Sequence, residues 1–213
     1  MKVPLIIYGA GGLGREILSL VRSLPQYEVL GFLDDGVAKG TLVKGVKVLG
    51  GIEVLHSSDH PVNLVLAIGD PKVKASIVRG IKSPNIEYPI LRHPTAVIQD
   101  EAAVVIGKGT ILCAGSILTT DIHLGSHVLV NLNTTIGHDT SIGNYSSLMP
   151  GVNVSGEVTI GNSVLIGSGS SILNRVQIGD RCVIGIGSVV NKDIEPGVTA
   201  AGVPARGIRR GEG

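Results

Sequence analysis

Aromatic side chains are nearly missing from this chain, which has four tyrosines, one phenylalanine and no tryptophan in 213 residues. So few rings leave little on which nucleobases could stack. An excess of either charge is missing too: 18 basic and 17 acidic residues create no field to draw in nucleic acid or an anionic membrane surface. Cysteine is scarce. Cys113 and Cys182 stand far apart with no CxxC pair, which suits a reducing cytoplasm and argues against a disulfide scaffold. No apolar run reaches the ~18 residues of a membrane span, and the run that begins at Val3 is too short for the core of a secretory signal. The expectation is a cytoplasmic protein with no nucleic-acid partner and no membrane insertion.

Aliphatic residues and glycine fill the space instead. From Ile106 every sixth residue to Val190 is Ile, Leu or Val, fifteen positions in one phase. Two residues before each lies a second register of small or β-branched side chains, among them Thr110, Ser116, Val128, Thr134 and Cys182. A long helix would need apolar spacings of three and four, whereas two inward positions in six fit a short extended run and a turn. The residue after the beat is often glycine, as at Gly107, Gly125, Gly137 and Gly143, which reads as a turn with positive φ. Three flat faces then close a triangular coil of 18 residues, and stacked coils bury a continuous aliphatic column. At ~1.5–3 kcal/mol per buried aliphatic side chain, neighbouring coils supply what no coil has alone. Cys182 falls on the small inward register and reads as core filler. Ile98 is out of phase with Ile106, so the first coil should be irregular.

The first 92 residues follow another rule. Residues 3–8 read as a buried strand, Gly9-Ala10-Gly11-Gly12-Leu13-Gly14 as a glycine-rich turn, and 15–24 keep helical spacing. That order fits the nucleotide-binding fingerprint, whose glycines bring backbone N–H groups close to phosphate. The next strand, 29–33, ends in Asp34-Asp35, about 20 residues after the turn, where an acid can hold a ribose hydroxyl. A third strand, 62–68, ends in Gly69-Asp70, and Asp70-Pro71 is a good N-cap and first-turn pair for a helix to about Ile81. Residues 86–91 close the unit, and 39–51 are loop-like with a short hairpin. So small a domain favours a mononucleotide or nucleotide-sugar grip over NAD. His93-Pro94 marks the junction, dividing the chain into 1–92 and 93–213.

The hexads Ile136-Gly137-His138-Asp139-Thr140, Ile160-Gly161-Asn162-Ser163-Val164 and Ile178-Gly179-Asp180-Arg181-Cys182 resemble those of the hexapeptide-repeat acyltransferases. Add the glycine turn, Leu33-Asp34-Asp35, Leu66-Ala67-Ile68-Gly69-Asp70 and His93-Pro94, and nearly the whole chain is similar to one subfamily. It is the sialic-acid O-acetyltransferase and nucleotide-amino-sugar N-acetyltransferase group, which includes the bacillosamine and perosamine N-acetyltransferases. The resemblance implies an α/β N-terminal small Rossmann-like domain followed by a left-handed parallel β-helix of hexapeptide repeats. Handedness comes from the resemblance alone, since crossovers are usually right-handed. Also implied are acetyl-CoA as co-substrate, no metal, and a homotrimer with active sites between adjacent subunits. The substrate would be a nucleotide sugar, of the UDP kind, in surface-glycan biosynthesis. Gly202-Val203-Pro204-Ala205-Arg206 is similar to the end of these enzymes and, with Arg209 and Arg210, reads as a short basic helix or arm able to meet coenzyme A phosphates.

In this family the base is a histidine in an Ile-x-His-acid corner, which maps onto His138 and Asp139. His138 falls on a turn outside the column. It is expected to deprotonate a sugar amine attacking the thioester, with Asp139 orienting the ring and backbone N–H groups holding the oxyanion. The resemblance also places Asn131 near the sugar, and Ser147, Gly156, Ser168 and Ile186 beside the pantetheine arm. Gly11, Gly12, Leu13, Asp34, Asp35 and Gly69 fall on the nucleotide positions. Leu13 stands where histidine is common, and Gly137 where some members carry an acid. Both departures bear on the substrate rather than the reaction, so O-acetylation of sialic acid or another sugar hydroxyl stays open. So does a non-enzymatic, nucleotide-sensing trimeric β-helix. His123 and His127 would make a zinc pair on a helix, but in this coil one falls on a strand and the other on a turn. His56 and His60 flank a surface loop, 57–59.

Overall fold

The computed structural model describes residues 2–56 and 61–208. The 57–59 loop with His60, and the basic pair Arg209 and Arg210, lie outside the described residues.

The first domain is a twisted sheet built around one glycine turn. β1 (Val3–Tyr8) leads through it to α1 (Gly12–Arg22) and then β2 (Tyr27–Leu33), which lies parallel to β1. β3 (Leu42–Val43) and β4 (Val46–Gly50) form the expected hairpin, and β4 also joins β2 in parallel. After α2 (Glu53–His56) come β5 (Val62–Leu66), α3 (Pro71–Gly80) and β6 (Ile86–Glu87), giving the sheet order β3-β4-β2-β1-β5-β6. Asp70 caps α3 as expected, its carboxylate accepting from the Lys72 and Val73 N–H groups at 2.7 and 3.2 Å. The strand expected over 86–91 is divided. Pro89 has no N–H to give a ladder, so β6 stops at Glu87, and Leu91–Arg92 already pairs with Ile111–Leu112 of the second domain. The coil thus begins at Leu91 rather than His93.

From there the chain winds as a β-helix with three walls. The first wall stacks 91–92, 111–112, 129–130, 147–148, 165–166 and 183–184; the second stacks 97–98, 117–118, 135–136, 153–154, 171–172 and 189–190. The third holds 104–106, 122–124, 141–142, 159–160 and 177–178. Strands pair in parallel at the expected 18-residue step, as Ile117 with Thr135 and Thr135 with Asn153. Every beat residue from Leu112 to Val190, and every small-register residue from Thr110 to Ser188, is buried. The first coil is the irregular one, since Ile117 pairs back with Val97.

Two expectations are corrected. Glycine after the beat answers to packing rather than to φ: a Cβ on Gly125, Gly137 or Gly143 would lie 2.6–2.7 Å from backbone atoms of the adjacent coil. Strands stacked at ~4.8 Å leave no room for a side chain pointing along the stack. The positive φ falls two residues later, at His127, Asn133, Asp139 and Tyr145, with φ between 54° and 63°. Among its described residues the tail is strand rather than helix. Thr199–Gly202 extends the first wall and turns back into antiparallel Ala205–Gly207.

The first wall carries the N-terminal domain. Leu91, Ile111 and Leu129 share one apolar cluster with Ile17, Leu18 and Leu20 of α1. Lys74 of α3 is 2% exposed, and its ammonium donates to Ser147 Oγ at 3.0 Å. Desolvation with only neutral acceptors in contact pushes that ammonium down to about 7, against a weaker opposing pull from Asp70. Among the described residues no helix is long and apolar enough to cross a membrane.

Candidate active site

His138 stands on the corner between the second and third walls, two residues past the buried Ile136. Positive φ at Asp139 turns the carboxylate back onto the ring, placing Oδ2 2.7 Å from His138 Nδ1. An ionised carboxylate only accepts, so that contact places the proton on Nδ1 and leaves the Nε2 lone pair free. The histidine side chain is 56% exposed. The next coil puts Gly156 against the ring and draws Glu157 N–H to the His138 carbonyl at 2.8 Å. One coil further, Arg175 pairs with Glu157 through Nε and a terminal nitrogen at 3.0 and 3.1 Å, holding that carboxyl below the usual carboxylate range. The 18-residue step from Glu157 to Arg175, one full coil, is the sequence signal of this pair.

The nucleotide residues gather elsewhere. Gly11 and Gly12 open the N-terminus of α1 with no side-chain cap and nothing near their Cβ positions, so its N–H groups are clear for an anion. Asp34 is committed to the turn, accepting from Ala10 N–H at 2.8 Å and Gly36 N–H at 2.9 Å. Of the two acids expected near a ribose, Asp35 is the exposed one. A Cβ on Gly69 would lie 3.1 Å from Met149 Cε and 4.0 Å from Leu13 Cδ2. Met149 Sδ in turn lies 4.0 Å from Asn131 Nδ2. Met149 thus lies between Gly69 and Asn131 at the corner between the first and second walls.

Ser168 and Ile186 continue along that same corner, exposed, with Ile186 at 81%. Ser147 does not join them. It is fully buried on the first wall beneath Lys74, so as folded it cannot touch a pantetheine arm. Within one chain, then, Asn131, Ser168 and Ile186 lie on one edge of the second wall, and His138, Asp139 and Gly156 on the other. His127, on its turn, is buried against Tyr88 and Tyr145, with ring centroids 4.7 and 5.4 Å away. His123 lies on a strand facing outward.

Residues 4–81 match the PglD N-terminal domain, and 157–192 the bacterial transferase hexapeptide (six repeats). The chain is 31% identical over 155 residues to GDP-perosamine N-acetyltransferase of Escherichia coli O157:H7, covering 70% of its own length and 69% of that protein's. The chain belongs to this family of hexapeptide-repeat acetyltransferases. The acetyltransferase domain of PglB from Neisseria gonorrhoeae FA1090, solved with acetyl coenzyme A, superposes with TM-score 0.89 at 28% identity over 98% of this chain and 100% of that one. A variant perosamine N-acetyltransferase from Caulobacter crescentus, with one histidine replaced by asparagine, was solved with CoA and GDP-perosamine; it gives TM-score 0.89 at 26% identity over 98% of each chain. Both perosamine N-acetyltransferases are named with a GDP-linked sugar, where a UDP-linked one was expected for this chain.

Proposed function

We propose that this acetyltransferase moves the acetyl group of acetyl-CoA to the amine of a nucleotide-linked amino sugar, GDP-linked before UDP-linked, with His138 as base. The carrying observation is the Asp139 contact, which leaves Nε2 of a half-exposed histidine as the acceptor. The amine nitrogen attacks the thioester carbonyl, and Nε2 takes its proton. As the tetrahedral intermediate collapses the C–S bond breaks, and the proton passes to the CoA thiolate, leaving an amide and a free thiol. Backbone N–H groups at the coil corners are the donors for the intermediate's oxygen.

The site is completed by a second copy in a homotrimer. The second wall, bare of the N-terminal domain, presents Val97, Ile117 and Val189 at 45%, 36% and 37% exposure, with Leu132 and Ile186 along one edge and Leu173 along the other. Burying that wall against a neighbour would bring the His138 edge of one chain toward the Asn131–Ile186 edge of the next. Acetyl-CoA would lie in that cleft, and the nucleotide on the glycine turn. The two buried free cysteines suit a cytoplasmic enzyme supplying acetylated sugars for surface glycans.

The test is a panel of GDP- and UDP-linked amino sugars and their hydroxyl counterparts, each incubated with acetyl-CoA while free thiol is measured. Release with amino acceptors, strongest for GDP-linked ones, is expected. Equal release with hydroxyl acceptors would make the enzyme an O-acetyltransferase, and none with any acceptor would leave a binding module.

A further inference from the structure

We propose that Tyr8 is the positioning residue of the nucleotide end, setting the Asp35 carboxylate to accept a donor from a nucleobase or ribose. The proposal rests on the nucleotide-sugar reading of residues 1–92 and names how that grip is held. Tyr8 ends β1, is 2% exposed, and its hydroxyl donates to Asp35 Oδ2 at 2.5 Å. Asp35 Oδ1 accepts the Ile52 N–H at 3.1 Å. The carboxylate is thus pinned by β1 on one side and by the connection between β4 and α2 on the other.

Asp35 is nonetheless exposed, and a carboxylate offers about four lone-pair sites. Those left over stand at the carboxyl end of β2, where open parallel sheets hold their ligands. Burial, the Asp35 contact and the nearby charges of Asp34 and Glu53 push the Tyr8 hydroxyl well above the ordinary tyrosine range, so it keeps its proton and remains the donor. Asp34 also accepts one bond on each oxygen, but from the N–H groups of its own turn, at Ala10 and Gly36, and it is the less exposed of the two carboxylates.

Charge sets the direction of the ligand. Asp34, Asp35 and Glu53 repel phosphate, whereas the uncapped start of α1 attracts it. A nucleoside diphosphate therefore lies with its phosphates on Gly11 and Gly12 and its base or ribose donors toward Asp35.

Tyr8→Phe removes one hydroxyl and leaves Asp35 open to water, so the fold should hold. GDP and UDP are titrated separately into wild type and variant by calorimetry, and KM is measured for the nucleotide sugar that turns over. The dissociation constant of the bound nucleotide and that KM should rise about tenfold, with kcat and the acetyl-CoA KM kept. In an Asp35→Ala background Tyr8→Phe should add nothing, since its effect passes through the carboxylate. Unchanged nucleotide affinity, or an equal loss with Asp35 absent, overturns the proposal. Wild type that binds neither nucleotide overturns the nucleotide reading itself, and the role of Tyr8 with it.

Discussion

The imidazole of His138 lies on the backbone of Gly156 in the next coil: a Cβ at Gly156 would sit 2.5 Å from both Cε1 and Nε2. Gly156 has no positive φ, so its backbone permits alanine, and the three atoms nearest an added Cβ all belong to the ring. Gly156→Ala should therefore swing the imidazole away and cut kcat on the order of a hundredfold, as small misplacements of a catalytic group do, while the thermal midpoint moves little. Steady-state kinetics check this, and in a His138→Ala background the same change should cost nothing further. The resemblance places Gly156 beside the pantetheine arm; the atoms nearest an added Cβ there are those of the His138 ring.

The glycines of the coil should divide into two kinds. Gly143→Ala drives a Cβ to 2.6 Å from Gly161 of the adjacent coil, an overpacking that costs ~1–3 kcal/mol. Gly169 has φ +68° and open space around it, the conformation Asn133 adopts elsewhere in the coil, so Gly169→Asn should cost less than about 1 kcal/mol. Denaturant melts of the two variants compare the costs, and equal losses would contradict the packing explanation.

How much of this could be read beforehand follows from which forces are local. The six-residue beat dictated the walls because each aliphatic residue must face inward whatever its neighbours do, and the buried column from Leu112 to Val190 follows it. The corner position of His138 and its pairing with Asp139 were legible because that corner carries a recognisable residue pattern. Lys74 was not, since a lysine in a short helix reads as a solvent cation until the β-helix wall closes over it. Tyr8 read as one more buried strand residue, for its partner lies 27 positions on. The glycine after each beat was found, but its reason was misassigned, because the distance between coils is not a property of one coil.

Lys74 makes stability depend on pH. Its ammonium is held at about 7 in the fold against an ordinary 10.5, so between those values the unfolded chain binds more protons and stability rises with pH. Below 7 both states are protonated and the full cost of the buried charge remains. The wild-type thermal midpoint should climb from pH 7 to 9. Lys74→Met should flatten that climb and melt higher than wild type at pH 6, by an amount worth several kcal/mol. His127, pushed down to about 4 by burial and then by Lys74 and Lys108, acts in a separate window between about 4 and its ordinary 6.5. There stability is lost as pH falls. Melts recorded across both windows separate the two groups.

Asp139→Asn keeps an oxygen acceptor near His138 Nδ1 but removes the charge that steadies an imidazolium. The rate with an amino-sugar acceptor should fall tenfold or more, with the KM for acetyl-CoA unchanged. An unaltered kcat would show that the 2.7 Å contact is not used in proton transfer.

The most direct measurement is free-thiol release from acetyl-CoA by wild type and His138→Ala, side by side, with the best GDP-linked amino sugar. With the base gone, kcat should drop at least a hundredfold while the variant still binds CoA and nucleotide. Equal thiol release by the two proteins would contradict the central claim.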